Sequence, residues 1–84
     1  MKFRRSYDKE LLNRYEYDEI HSLVDVMAGF YLVGKRCRFY IEPWRSGWHD
    51  INSEVIYLDG SFDKWNMLKN KIMIILSLEE LENS

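Results

Sequence analysis

Eighty-four residues make one domain, 1–84, and leave no room for a second. Hydrophobic residues are 46% of the chain and aromatics 15%, with three Trp, six Tyr and four Phe, enough for a dense small core; this argues against disorder despite 31% charged residues. The formal net charge of −2 argues against an autonomous nucleic-acid binder, which usually carries a strongly basic surface.

The charge is unevenly placed. Residues 1–45 hold nine Lys or Arg against seven Asp or Glu, whereas residues 46–84 hold three against seven. The acidic C-terminal half suits a basic partner. Cys37 is the single cysteine, so no internal disulfide forms, and this fits a reducing compartment. No basic start followed by an apolar run marks a signal peptide. The longest apolar run, Ile72 to Leu76, is far too short to span a bilayer. The expectation is a cytoplasmic protein without a membrane contact.

In chain order, Met1 to Arg5 is a basic start, and Ser6 or Asp8 can cap a short helix carrying Leu11, Leu12 and Tyr15. Ile20, Leu23, Val24, Met27 and Ala28 recur at helical spacing. They predict a second helix, with Asp18 as its N-cap and Gly29 as its left-handed C-terminal residue. After Gly29 the period changes. Phe30 to Val33 is a β-rich run, and Gly34-Lys35-Arg36 is a hairpin turn. Next, Cys37, Phe39 and Ile41 alternate with Arg38, Tyr40 and Glu42, the pattern of a strand with one face buried. Pro43 ends that strand.

Trp44 to Gly47 is a second turn. Trp48 to Leu58 contains a third strand, interrupted or bulged at Asn52-Ser53. Ser61 or Asp63 starts a helix with Phe62, Trp65 and Leu68 on its apolar side. An extended link from Ile72 to Leu76 keeps Met73 and Ile74 off a polar helix face. Ser77 and Glu80 then fit a capping box for a last short helix. The fold class expected is α+β: a three-stranded antiparallel meander with N-terminal and C-terminal helices packed on one face.

Chemistry is sparse. Cys37 shares the buried face with Phe39 and Ile41, where a thiol is inert. His21 and His49 lie on different elements and make no metal-ligand pair. Asp18, Glu19, Glu79 and Glu80 are explained by helix starts. The glycines at 29, 34, 47 and 60 are scattered, so no phosphate-cradling loop exists. The expectation is a non-enzyme without metal or cofactor.

One feature rises above this background, the stretch Trp44-Arg45-Ser46-Gly47-Trp48-His49. Trp, Tyr and Arg dominate binding hot spots, and a turn rarely buries them fully. Tyr40 and Arg38 on the preceding strand extend the candidate patch. The partner-binding set is therefore Trp44, Arg45, Trp48, His49, Tyr40 and Arg38.

The function expected is that of a small interaction module. It suits a stoichiometric inhibitor of the phage anti-defence, anti-CRISPR-like kind, or an immunity or antitoxin partner, meeting a larger protein with a basic groove. That rests on size and build alone. One alternative is a nucleic-acid module using Arg4, Arg5, Lys35, Arg36 and Arg38, with Tyr40 or Trp44 stacking on bases. Another is an obligate subunit or homodimer paired through a sheet edge.

Overall fold

The alternation expected at residues 37–41 is present, and it shows where the core lies. Phe39 and Ile41 are buried and Cys37 packs against them, while Arg38 is exposed. A computed structural model describes residues 1–6 and 17–83. Among these described residues six strands and one helix follow in order: β1 (Lys2–Ser6), β2 (Tyr17–Val26), β3 (Gly29–Gly34), β4 (Arg38–Ile41), β5 (Ser46–Ile51), β6 (Glu54–Asp59) and α1 (Phe62–Glu82). The strands form one antiparallel sheet of order β4-β3-β2-β1-β5-β6. The fold is α+β, with α1 covering one face of that sheet.

The sheet curls strongly. β1 pairs with the start of β2, at Tyr17 to Glu19, and β3 pairs with its remainder, Ile20 to Val26. The register shifts between Ile20 and Ser22, and such a bulge bends a strand and increases its twist. The two leaves joined by β2 therefore face each other. Phe3 of β1 and Phe39 of β4 meet edge to face at 5.1 Å, although two strands separate them in the sheet order. Phe30, Leu32, Ile51 and Leu58 fill the same space, and Trp65, Leu68 and Ile72 of α1 close it.

The expected meander is too small: β1 lies in the stretch expected to be a basic start, β2 in one expected to be helix, and β5 and β6 share the span expected to hold a single strand. The predicted second helix is β2. The bulge is the physical reason. One extra residue at His21 turns both Ile20 and Leu23 toward the core, imitating a helical three-residue step. Val24, Met27 and Ala28 complete the apparent stripe yet are exposed. Gly29 opens β3 in place of ending a helix. A Cβ there would stand 2.6 Å from the Ile41 carbonyl oxygen, so glycine allows β4 to approach. The first predicted helix lies outside the described residues, apart from Ser6, which belongs to β1.

The single strand expected over Trp48 to Leu58 is a hairpin, β5 and β6, turning on Asn52-Ser53. Both turn residues have positive φ, 49° and 74°, and two such residues match the right-handed twist of the flanking strands. The C-terminal helices are one helix. It starts at the expected cap, where the Lys64 N–H donates to Ser61 Oγ at 3.5 Å, and runs unbroken to Glu82. Met73 and Ile74 thus stand exposed, the outcome an extended link would have avoided. Helical backbone bonds through 72–76 and burial of Ile72, with Ile75 and Leu76 against the core, outweigh that exposure.

Candidate functional site

Strand alternation decides which side chain of the candidate stretch meets solvent. On β5, Trp48 points to the outer face of the sheet and His49 to the inner face. Trp48 is 53% exposed and lies opposite Tyr57 of β6, with ring centroids 4.6 Å apart. This is a cross-strand aromatic pair held on a rigid hairpin. Lys64 Nζ lies 5.9 Å from the Tyr57 ring centroid, and Val55 stands exposed beside the pair.

Trp44 sits in the β4–β5 connection and is 60% exposed. Neighbouring Arg45 is exposed and pairs with Glu42 at 3.3 Å. Both indoles at this end of the hairpin therefore remain in solvent while the third, Trp65, is core. The Trp65 ring packs on Phe30 and Phe62, and its Nε1–H donates to the Ile41 carbonyl at 3.0 Å.

His49 does not belong to the surface. It is 2% exposed and stacks on Phe3 at 5.6 Å. Burial, then the nearby Arg5 guanidinium, lowers its pKa to about 4, so the ring is neutral at pH 7. The same alternation that places Trp48 outside places His49 inside. Tyr40 forms a second outer-face pair with Tyr31 at 4.8 Å. That pair, with exposed Arg38, lies on β3 and β4, at the opposite edge of the sheet order from β6. The predicted set is thus divided among the β5–β6 face, the β4–β5 connection, the β3–β4 face and the core.

The acidic residues are sorted as well. Asp18 is buried and organises the turn between β3 and β4. Its Oδ2 accepts from the Arg36 and Cys37 backbone N–H groups at 2.7 and 2.8 Å, and its Oδ1 from the Glu19 N–H at 2.8 Å. Desolvation alone would raise its pKa, but these donors outweigh it and hold the carboxyl at about 2. The role expected for Asp18, capping a helix start, is replaced by capping a turn on another strand.

Farther along, Glu19, Asp25, Glu79 and Glu80 rim a groove of about 810 Å³ between β2 and the C-terminal half of α1, with Leu23, Met73 and Leu76 inside it. The Met1 ammonium meets Glu19 and Glu79 at 2.8 and 2.7 Å. Of the cations in the nucleic-acid alternative, Arg5 donates to the Tyr40 carbonyl at 3.4 Å and Arg36 to the Tyr17 carbonyl at 2.8 Å.

The outer aromatic face escaped sequence reasoning because Tyr57 and Val55 were placed on the same strand as Trp48. The available signal was Asn52-Ser53, two turn-forming residues between alternating runs, which makes Trp48 and Tyr57 opposite one another. Among the described residues no group of three or more His, Cys, Asp or Glu is placed to hold a metal ion, and no helix is long and apolar enough to cross a membrane. No protein-family model matches the chain, and comparisons with curated proteins and with solved structures find no match.

Proposed function

We propose that this protein acts by binding a larger protein in a stoichiometric complex, as an inhibitor of the anti-defence or immunity type does. The observation that carries this reading is the Trp48–Tyr57 pair. Two large rings stand half-exposed on a rigid hairpin, with Trp44 exposed nearby. Rigid aromatics offer large contact area at little cost in side-chain entropy, and such residues supply most of the energy at protein interfaces.

Trp48 and Trp44 are the anchors, with Tyr57 completing the first ring pair and Arg45 as a rim contact. The groove between β2 and α1, where Met1 and Lys69 offset part of the charge of Glu19, Glu79 and Asp25, keeps an excess of carboxylate that contributes weak attraction for a basic partner surface. Affinity capture from the source cell with the wild-type chain beside the Trp44→Ala/Trp48→Ala double variant tests the reading. One protein enriched by the wild type and lost with the folded double variant supports it; equal recovery by both baits overturns it.

A further inference from the structure

The two outer strands of the sheet are finished differently. At β4 the carbonyls of Ile41 and Tyr40 accept from Trp65 Nε1–H and the Arg5 guanidinium, and Pro43 follows just after the strand. Consecutive strand carbonyls point to opposite sides, and that of Ile41 lies against Gly29 of β3, so it is the Arg5 side chain of β1 on the Tyr40 carbonyl, with Pro43 beyond it, that closes the outer side of β4. At β6 the only strand neighbour among the described residues is β5. Its central run, Val55-Ile56-Tyr57-Leu58, carries none of the Lys, Pro or bulge devices with which sheets guard an open edge. The carboxylates at its two ends are neutralised from the helix, Glu54 by Lys71 and Asp59 by Lys64.

The hairpin fixes which backbone groups face outward. Across a two-residue turn the closing pair, Ile51 and Glu54, exchanges hydrogen bonds, and the pattern alternates from there. Val55 and Tyr57 are therefore non-hydrogen-bonded positions with respect to β5. Their N–H and C=O groups point away from it, toward the open side.

We propose that β6 is a self-pairing edge and that its occupant is a second copy of this chain. The two β6 strands add antiparallel about a two-fold axis at Ile56, joining two sheets into one. In this register Val55 of each copy faces Tyr57 of the other, and each pair exchanges both backbone hydrogen bonds. The interface is isologous, as closed dimers require.

The pairing sets no like charges opposite one another and continues an apolar strip. Glu54 falls opposite Leu58 and Asp59 opposite Ser53, so no two carboxylates face each other. On the outer face, Val55 of the second copy extends the Trp48–Tyr57 pair and continues its apolar strip across the axis. On the inner face, Ile56 of the second copy points toward a groove of about 360 Å³ between β6 and α1, where Ile56, Met67 and Leu68 form the apolar wall. Other registers lose something: moving the axis to Tyr57 sets its two rings directly against each other and places Asp59 opposite Val55. This inference does not depend on which protein the aromatic face binds.

Sedimentation of the full chain over a wide dilution series provides the first test. The wild type should pass from monomer to dimer mass as concentration rises. Val55→Pro, which removes an outward N–H and leaves the β5 ladder intact, should stay monomeric with an unchanged far-UV circular dichroism spectrum and a cooperative melt. A wild type that remains monomeric throughout, or a folded Val55→Pro variant that dimerises as well as wild type, overturns the proposal.

A cross-link tests the register itself and decides alone should Val55→Pro not fold. In a Cys37→Ser background, Ile56→Cys lies opposite itself at a separation of roughly 4.5 Å between Cα atoms, within disulfide reach. Mild oxidation should trap it as a covalent dimer, whereas Glu54→Cys should stay single. The reverse pattern, or no cross-link at Ile56→Cys, contradicts the pairing.

Discussion

The Asp18 carboxylate occupies the space in which a side chain at Gly34 would lie: a Cβ added there overlaps Asp18 Oδ2. Glycine at 34 is thus required by the acid that caps the turn. Gly34→Ala should cost about 1–3 kcal/mol through overpacking. Asp18→Ala should cost about 3 kcal/mol, because it leaves backbone N–H groups at 19, 36 and 37 without their acceptor. Urea unfolding of the two variants measures both. A loss below about 0.5 kcal/mol for either, the scale of an ordinary surface substitution, would contradict this account of the turn.

Asp18 also gives stability a pH dependence. Its folded pKa, about 2, lies below its ordinary value of 3.8. The stabilisation it provides is therefore fully present above pH 4 and lost as pH falls from there toward 2. Wild type should lose more stability across that window than Asp18→Asn, whose side chain does not titrate.

His49 acts in a higher window with the same sign. Its folded pKa is about 4 against an ordinary 6.5, so between these values the unfolded chain binds a proton that the folded chain refuses. Stability should fall as pH drops from 6.5 toward 4. Substituting His49→Gln should flatten the upper part of that slope, between pH 6.5 and 5, where carboxylates contribute little. Chemical denaturation at several pH values in that range reads the difference; an undiminished slope in the variant would place its origin elsewhere.

The three tryptophans should separate stability from binding. Trp48→Ala removes a half-exposed ring and should cost about 1 kcal/mol, the scale of one cross-strand pair. Trp65→Ala empties the core beneath α1 and should cost about 3–5 kcal/mol. Thermal and urea melts give the ordering, which equal losses would refute.

The β5–β6 turn offers a gain. Ser53 holds φ of 74°, a conformation that costs an L-residue about 1 kcal/mol and glycine almost nothing. Ser53→Gly should raise stability by a few tenths to about 1 kcal/mol in equilibrium unfolding; a destabilised variant would mean the turn is held by something other than its backbone.

Local pattern carried single features of the fold and not its strand pairing. The strand at 38–41 and the helix start at Ser61 follow from period-two alternation and a cap, both of which are local. β2 could not be read locally, because its bulge exists only against the register of β3. The hairpin at Asn52-Ser53 lacks the glycine that usually announces such a turn, so two strands merged into one. Continuation of α1 past Ile72 depends on a curled sheet beneath it that no single segment specifies. For the site, exposure of Trp44 follows from its place in a connection and that of Trp48 from strand alternation, whereas Tyr57 becomes the neighbour of Trp48 only through pairing. His49 was misplaced for the converse reason: its sequence neighbours are surface residues, but its own parity is inward.

The role assigned to this molecule rests on indole and phenol rings left for another protein to cover. Isothermal titration of the captured partner against wild type and against Trp44→Ala/Trp48→Ala, each shown to melt cooperatively, measures this most directly. The account predicts a one-to-one complex with wild type and a loss of at least about 2 kcal/mol, roughly thirtyfold in affinity, with the variant. Equal affinity for the two chains would contradict it.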